Sequence, residues 1–344
     1  MATMPLGVEL IFSEPVTPAG AGIKVFSPSG HQIASRAISR GNLLYALMSS
    51  AETGTFVVSW QVLAADTHPS RGAFRFSIGR PSANPYSSLL SGGQIGTATP
   101  LGFLLQAIAR WVHFAGFALA FGVVGYQALT RRKTRYTRLV GTGVLLLIAA
   151  EPLALLGQLA SLSFDGETAL AVLASGFGRL LALRLAGALL TWVLLAIESP
   201  WPVLGVGVAV ALVDGASAHS IPGLPAVGQV LVATHIAAMG LWVGGVAAFI
   251  AVPERGASAP RRFGQFAGLS FGVAGVSGLL LAVAHIGLPN TLMTTPYGQV
   301  LVTKVLVIGV AVSAVLLRRR RLEFGVLLAV VAAAAVLAAL PPPR

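Results

Sequence analysis

The chain has 344 residues, a formal net charge of +12, 10% charged residues, 55% hydrophobic residues and no cysteine, and its mean hydropathy is +0.82. Soluble globular domains carry about 25% charged residues, so this composition excludes an ordinary soluble protein and predicts a multi-span membrane protein. The lack of cysteine excludes disulfides, thiolate metal sites and cysteine nucleophiles, which leaves His, Met, Asp and Glu as metal ligands.

Residues 1–80 are predicted to form an all-β domain. Apolar and polar positions alternate within 7–80, as in Thr55-Phe-Val-Val-Ser-Trp60, and turn signals such as Ser27-Pro-Ser-Gly30 separate the runs. This pattern is typical of an antiparallel β-sandwich or a small barrel. Residues 81–100, rich in Pro, Ser and Gly, are predicted to be a linker, and residues 101–344 a transmembrane domain.

Asp66 and His68 form a candidate metal site where a predicted strand passes into a turn. Residues two apart on an extended chain point to the same side. A carboxylate and an imidazole on one side can bind a d-block divalent ion, and Cu(II) favours such N,O ligation. The alternative is that Asp66 caps the turn and His68 is solvated.

Eight apolar stretches follow, each close to the ~20 residues that cross a hydrocarbon core of about 30 Å. They lie near 102–129, 139–161, 177–197, 201–217, 226–251, 264–287, 298–317 and 322–341. We therefore predict a mainly α membrane protein with an eight-helix transmembrane bundle.

Basic clusters stand in the gaps after the first, fifth and seventh stretches, at 131–138, 255–262 and 318–321. The gaps after the second, fourth and sixth stretches contain no Lys or Arg. The positive-inside bias then places the basic gaps in the cytoplasm, and both the N-terminal domain and the C-terminus outside the cytoplasmic (inner) membrane. The charge thus indicates a lipid bilayer, and not nucleic acid, as the partner.

An extracytoplasmic N-terminal domain needs an export signal. The first five residues, Met1 to Pro5, have neither a basic n-region nor an apolar h-region. We therefore expect a misplaced start or a segment removed upstream.

Ionisable side chains inside membrane spans are costly and are candidates for function. His113 and His235 are expected about 14 Å from the outer surface at 1.5 Å per residue, whereas His219 and His285 are expected near that surface. Met239 follows His235 by four residues and shares its helix face. We predict these five residues as metal ligands, and a hydrogen-bonded contact between helices is the alternative for each histidine.

Other intramembrane charges have a structural explanation. Glu151 and Arg184 are predicted to pair, because a paired buried charge costs far less than a lone one. Asp214 and Lys304 are expected to be paired in a similar way. Gly240 and Gly244 fit a small-xxx-small contact between two helices.

Segments in both parts of the chain resemble two copper-resistance families. The CopC-like segments are Ile11-Phe-Ser-Glu-Pro-Val16, Val25-Phe-Ser-Pro-Ser-Gly30, and Gly54 to Trp60 continuing through Asp66-Thr-His68-Pro69 to Phe76. The CopD-like segments are Arg110-Trp-Val-His113, Ala218-His219, His235 to Gly245, and Thr295-Pro-Tyr-Gly298 followed by Lys304.

The resemblance implies a CopC–CopD fusion, with a cupredoxin-like β-sandwich before an eight-helix membrane protein. In CopC the Cu(II) site joins the Asp and His of this motif to the amino group and imidazole of an N-terminal His. Asp66 and His68 correspond to the first two ligands, and the N-terminal His has no counterpart in this N-terminally truncated domain. Copper is therefore the implied metal, as Cu(II) at the β-domain and as Cu(I) or Cu(II) in the bundle.

We therefore expect copper binding and transport across the cytoplasmic membrane, for uptake, homeostasis or resistance, with no catalytic reaction. Extracytoplasmic copper chaperones are candidate partners. One alternative is a transmembrane b-haem electron carrier, since pairs of histidines on facing helices can ligate haem. Another is a membrane protein that buffers copper for assembly or sensing without transporting it.

Overall fold

The computed structural model describes residues 3–64, 68–90, 98–130, 137–197, 199–218, 221, 224–251, 259–286, 290–316 and 320–340. The chain divides into two compact units. The first contains residues 1–105 and 155–179, and the second contains residues 106–154 and 180–344. The strands belong to the first unit and most of the helices to the second.

Six strands lie in the described part of the first unit. They are β1 Gly7–Ile11, β2 Val16–Phe26, β3 Ile38–Arg40, β4 Leu43–Leu47, β5 Gly54–Ala64 and β6 Pro69–Ile78. One sheet has the order β1-β4-β3 and the other β2-β5-β6, and all neighbouring strands are antiparallel. Val8 and Leu44 of one sheet share a buried core with Ile23 and Phe56 of the other. The predicted N-terminal β-domain is confirmed, and its two sheets pack face to face.

Residues that follow β6 pack against the same sheets. The buried Asn84 amide donates hydrogen bonds to the carbonyl oxygens of Phe26, Ser27 and Thr55 at 3.3, 2.9 and 2.9 Å. The Tyr86 ring stacks on Phe26 with 3.9 Å between ring centroids. The segment predicted as a linker therefore begins with residues that pack on the β-domain.

The described helices follow a short 3₁₀ turn at Ser87–Leu90. Helix α1 (Pro100–Phe117), a π-helical turn (Ala118–Gly122) and α2 (Val123–Leu129) form one continuous segment. The others are α3 Thr137–Ser161, α4 Gly166–Ala174, α5 Gly176–Leu194, α6 Pro200–Ala216, α7 Pro225–Ala251, α8 Ala259–His285, α9 Thr291–Thr294, α10 Pro296–Leu316 and α11 Arg320–Ala339.

Six helical segments of the described chain are long and apolar enough to cross a membrane. They are Pro100–Leu129, Thr137–Ser161, Gly176–Leu194, Pro225–Ala251, Arg261–His285 and Pro296–Ala314. The apolar helices Pro200–Ala216 and Gly325–Ala339 are shorter. At 1.5 Å per residue, 17 residues extend only about 25 Å, less than the hydrocarbon core of about 30 Å. The predicted count of eight spans is therefore not confirmed.

The first unit also contains α4, which packs on β2. Asp165 caps the N-terminus of this helix, and its carboxylate accepts a hydrogen bond from the Thr168 N–H at 2.7 Å. Val172 of α4 shares a buried cluster with Ala19 and Leu63 of the β-domain. The connection between α3 and α5 thus packs directly on the β-domain.

Small residues let α7 approach the π-helical turn closely within the second unit. A Cβ atom added to Gly122 would overlap the Gly240 carbonyl oxygen, and one added to Gly244 would overlap the Ala118 carbonyl oxygen. Only glycine fits at such a contact between backbones. The predicted small-xxx-small contact at Gly240 and Gly244 is confirmed, with the turn after α1 as its partner.

Candidate functional site

The connection between β5 and β6 carries the metal motif predicted for the β-domain. The Ala64 N–H donates to the His68 carbonyl oxygen at 3.0 Å, next to the last strand pair, Leu63 and Pro69. His68 is half-buried. Asp66 lies outside the described residues, so ligation by Asp66 and His68 together stays a prediction.

A cavity of about 250 Å³ borders the same end of β5. Its walls include Thr17, Leu63 and Ala64 of the β-domain and Ser175 and Phe177 near the start of α5. All of these residues belong to the first unit. The cavity therefore adjoins the strand end that leads into the predicted copper motif.

Ionisable side chains from four helices meet inside the second unit. His113 of α1 lies between two carboxylates: its Nε2 is 2.9 Å from Asp214 Oδ2, and its Nδ1 is 3.4 Å from Glu151 Oε1. Arg184 Nε donates to the other Asp214 oxygen, Oδ1, at 2.7 Å. Arg184 Nη2 also donates to Ser217 Oγ at 2.8 Å. We call these five residues the His113 cluster.

The predicted pairing of Glu151 with Arg184 is wrong. Arg184 binds Asp214 on the next helix, and Glu151 faces His113. All these residues were recognised in the sequence as intramembrane ionisable groups. Their partners depend on which helix faces meet, and the spacing of residues along the chain does not define those faces.

The His113 cluster is shielded from solvent, with exposed side-chain fractions of 7% for His113, 6% for Glu151 and 3% for Asp214. The two ring nitrogens point in different directions, toward different carboxylates. These three side chains therefore do not converge on one point, and among the described residues no three His, Asp or Glu side chains are arranged to hold a metal ion. This geometry favours ion pairing and proton binding at His113 over the copper ligation expected from the sequence.

His235 of α7 has a separate set of polar neighbours. Its Nδ1 is 3.0 Å from the Ala274 carbonyl oxygen and 3.1 Å from Ser277 Oγ on α8. Because a carbonyl oxygen can only accept, Nδ1 carries the ring proton and Nε2 holds a lone pair. Lys304 Nζ of α10 lies 3.5 Å from that Nε2. The nitrogen that could bind copper thus faces a buried ammonium group.

The other predicted ligands of the helical unit have different surroundings. Met239 packs against the apolar cluster that includes Trp242. His285 Nδ1 is 2.9 Å from the Leu281 carbonyl oxygen of its own helix, and its ring is 6.4 Å from that of Tyr297. His219 lies outside the described residues. Copper ligation by these residues stays a prediction.

The sequence did not identify Lys304 as the neighbour of His235. Lys304 is eight residues from the start of α10 and His235 is ten residues from the start of α7, which corresponds to depths of about 12 and 15 Å. If both helices start at the same surface, this similar depth was an available signal. Depth alone could not show that α7 and α10 present these side chains to each other.

Two family matches cover the two ends of the chain. Residues 1–79 match the CopC domain family, and residues 257–323 match the family described as Copper resistance protein D, or CopD. The first range contains Asp66 and His68, and the second contains His285 and Lys304. No solved structure matches the chain significantly.

The curated relatives that are similar to this chain include the following two proteins. The copper transport protein CutJ of Bacillus subtilis is 26% identical over 366 residues, which cover 93% of this chain and 66% of CutJ. Protein YobA of Escherichia coli is 30% identical over 79 residues, which cover 22% of this chain and 64% of YobA. The chain therefore spans slightly less than two thirds of the length of these relatives.

Proposed function

We propose that this chain, which joins a CopC domain and a CopD region in one polypeptide, takes copper from outside the cytoplasmic membrane and carries it inward. The observation that carries the proposal is the similarity to the copper transport protein CutJ, which extends over 93% of this chain and so includes both parts. Helical segments long enough to cross a membrane give transport a physical basis. The proposal includes no catalytic step.

The packing of α4 supports an extracytoplasmic position for the β-domain. Because α4 packs on β2, the connection between α3 and α5 lies on the same side of the membrane as the strands. That connection contains Asp165 and Glu167 but no Lys or Arg, as expected for a segment outside the cytoplasm. Cu(II) arriving there, free or on a copper chaperone, would first meet Asp66 and His68.

Histidines of the helical unit supply the next ligands in this proposal. His285 ends α8 at the outer surface of the proposed topology, and His219 is expected nearby at the end of α6. His235 lies deeper, with Met239 one turn further along α7. Imidazole groups bind Cu(II) as well as Cu(I), and the thioether favours Cu(I), so transfer from the β-domain to these histidines needs no change of oxidation state. The Lys304 ammonium lies at His235 Nε2, so an arriving copper ion has to displace it.

Copper uptake into proteoliposomes tests the proposal. His235→Ala is expected to reduce uptake to the level of protein-free vesicles, because it removes the ligand at mid-depth. Thr234→Ala is the matched control, since Thr234 is the preceding residue on α7 and its hydroxyl bonds only the Val230 carbonyl of its own helix in the described contacts. It should transport like the wild type. Unchanged uptake by His235→Ala at equal protein level would refute the proposed path.

Two other results would replace transport with a different function. Copper that binds to the purified protein but never enters vesicles would indicate a buffering role in assembly or sensing. A haem Soret band in the protein purified from its membrane would indicate an electron carrier.

A further inference from the structure

The His113 cluster contains more acidic groups than permanent cations. With both carboxylates ionised, Glu151 and Asp214 contribute two negative charges and Arg184 one positive charge. Within the described residues these groups and His113 are the charged or titratable side chains that meet here, from α1, α3, α5 and α6. One further proton makes the cluster neutral, whereas its loss leaves a negative charge that is costly inside a membrane.

The hydrogen bonds limit where that proton can be. Asp214 accepts from Arg184, and this charge-assisted bond stabilises its ionised form. Asp214 therefore accepts the hydrogen atom on His113 Nε2, at 2.9 Å. The remaining position lies between His113 Nδ1 and Glu151, which are 3.4 Å apart. A proton there forms either an imidazolium with a carboxylate or a neutral imidazole with a carboxylic acid.

Two buried atoms at this position lack a hydrogen bond. His113 Nδ1 and Glu151 Oε2 each have no hydrogen-bond partner among the described atoms, although the two residues are only 6% and 5% exposed. Buried polar atoms are usually satisfied, so an exception calls for an explanation. A proton shared between Nδ1 and Oε1, the Glu151 oxygen 3.4 Å away, gives Nδ1 a partner, and the unbonded Oε2 is a second oxygen on which this carboxyl can carry the proton.

From this geometry we infer that Glu151 and His113 form a binding site for one exchangeable proton, which is released when copper binds to the helical unit. The coupling to copper rests on the proposed function, whereas the proton site does not. A Cu(I) ion brings one positive charge, and the departing proton removes one from the Glu151–His113 pair. The total charge is unchanged, and no electron is transferred.

The position of the cluster brings it close to the outer end of α6 and links it to the copper path. Asp214 is two residues from the end of α6, and Ser217 lies just beyond it, so the cluster is close to the outer end of this helix. His113 is five residues before the π-helical turn, which contacts α7 at Gly240 and Gly244. Such π-helical turns are frequent at functional sites. Movement of α7 around copper at His235 would therefore reach α1 through this contact.

Infrared difference spectroscopy tests the proton site without copper. The difference between spectra of the full-length protein at high and low pH should contain a band of the bound proton that shifts in D₂O, either the carboxylic-acid C=O band of Glu151 or the imidazolium ring band of His113. Glu151→Gln should remove this band, and Glu167→Gln, which changes an exposed carboxylate on α4, should retain it. A band that persists in Glu151→Gln, or the lack of both bands in the wild type, would overturn the proton site. If Glu151→Gln does not fold, Glu151→Asp replaces it and must shift the band.

Proton counting tests the coupling. Cu(I) is added to the purified protein in weak buffer with a pH-sensitive dye, and the wild type should release one more proton per bound copper than Glu151→Gln. Equal release by both proteins, with the infrared band present, would overturn the coupling. If the wild type neither binds nor transports copper but retains the band, the proposed function and the coupling fail while the proton site stands.

Discussion

Lys304 is a buried cation whose described polar partner is a neutral imidazole. Its Nζ lies 3.5 Å from His235 Nε2, while the other ring nitrogen faces the Ala274 carbonyl. An ammonium group inside a membrane is costly, and one lone pair offsets only part of that cost. Lys304 and a copper ion therefore compete for the same nitrogen atom.

Replacing this cation should strengthen copper binding. Lys304→Leu removes the competing ammonium and leaves an apolar side chain without a metal ligand, so the full chain is expected to bind Cu(I) more tightly. Competition with a chromophoric Cu(I) chelator measures the change. The double variant His235→Ala with Lys304→Leu should show no such gain, because the nitrogen itself is missing. Equal or weaker binding by Lys304→Leu would mean that copper does not use His235 Nε2.

At the scale of elements, α4 depends on the cap at its first turn. The Ser163 hydroxyl donates a hydrogen bond to the ionised Asp165 carboxylate, and this bond lowers the pKa of Asp165 the most. The hydrogen bond from the Thr168 N–H lowers the pKa further. A lowered pKa in the folded state means that this carboxylate stabilises the fold above the ordinary Asp value of about 3.9. The stabilisation is lost as the pH falls through the lowered pKa.

Removing the cap should therefore have a pH-dependent effect. Asp165→Ala is expected to lower the free energy of unfolding of the first unit by about 1 kcal/mol at neutral pH. The difference from wild type should shrink as the pH falls below about 3.9, and thermal unfolding at several pH values measures it. Glu167→Ala removes an exposed ion pair with Arg36 at 3.9 Å, the salt bridge of Glu167 among the described residues, and should cost less than about 1 kcal/mol. A loss for Asp165→Ala that is the same at every pH would contradict the charged cap.

At the scale of the whole molecule, the pattern of basic residues predicts the orientation in the membrane. Arg138 and Arg262 stand at the starts of α3 and α8 and are exposed, as are Glu167 before α5 and Asn290 before α10. The positive-inside bias places the two arginines in the cytoplasm and the other two residues outside it.

The absence of native cysteine makes this orientation directly testable. In intact cells, a membrane-impermeant maleimide should label Glu167→Cys and Asn290→Cys, and it should label Arg138→Cys and Arg262→Cys only after the membrane is opened. Maleimide labelling of each variant can be measured without background, because the parent chain has no thiol. Labelling of the two arginine positions in intact cells would reverse the orientation and place the β-domain in the cytoplasm.

The sequence by itself determined the β-domain, the apolar helices and which ionisable residues lie within those helices. These features depend on local patterns: alternation of apolar positions, long apolar runs, and Lys, Arg, Asp, Glu or His within such runs. The contact at Gly240 and Gly244 could also be predicted, because small residues four apart on a membrane helix indicate close approach. Two of the eight predicted spans were not confirmed, because α6 is short and the apolar part of α11 in the described residues, Gly325–Ala339, is also short.

Only the tertiary structure decided which buried charges meet. His113 and Asp214 are 101 residues apart, and His235 and Lys304 are 69 apart. No periodicity connects positions at such separations, and pairing by charge alone assigned Glu151 to the wrong partner. Helix packing sets which faces are in contact, and it placed His113 between two carboxylates and Lys304 at the nitrogen of His235. Whether a buried histidine can act as a copper ligand or as part of a proton site thus depends on the side chains that other helices place beside it.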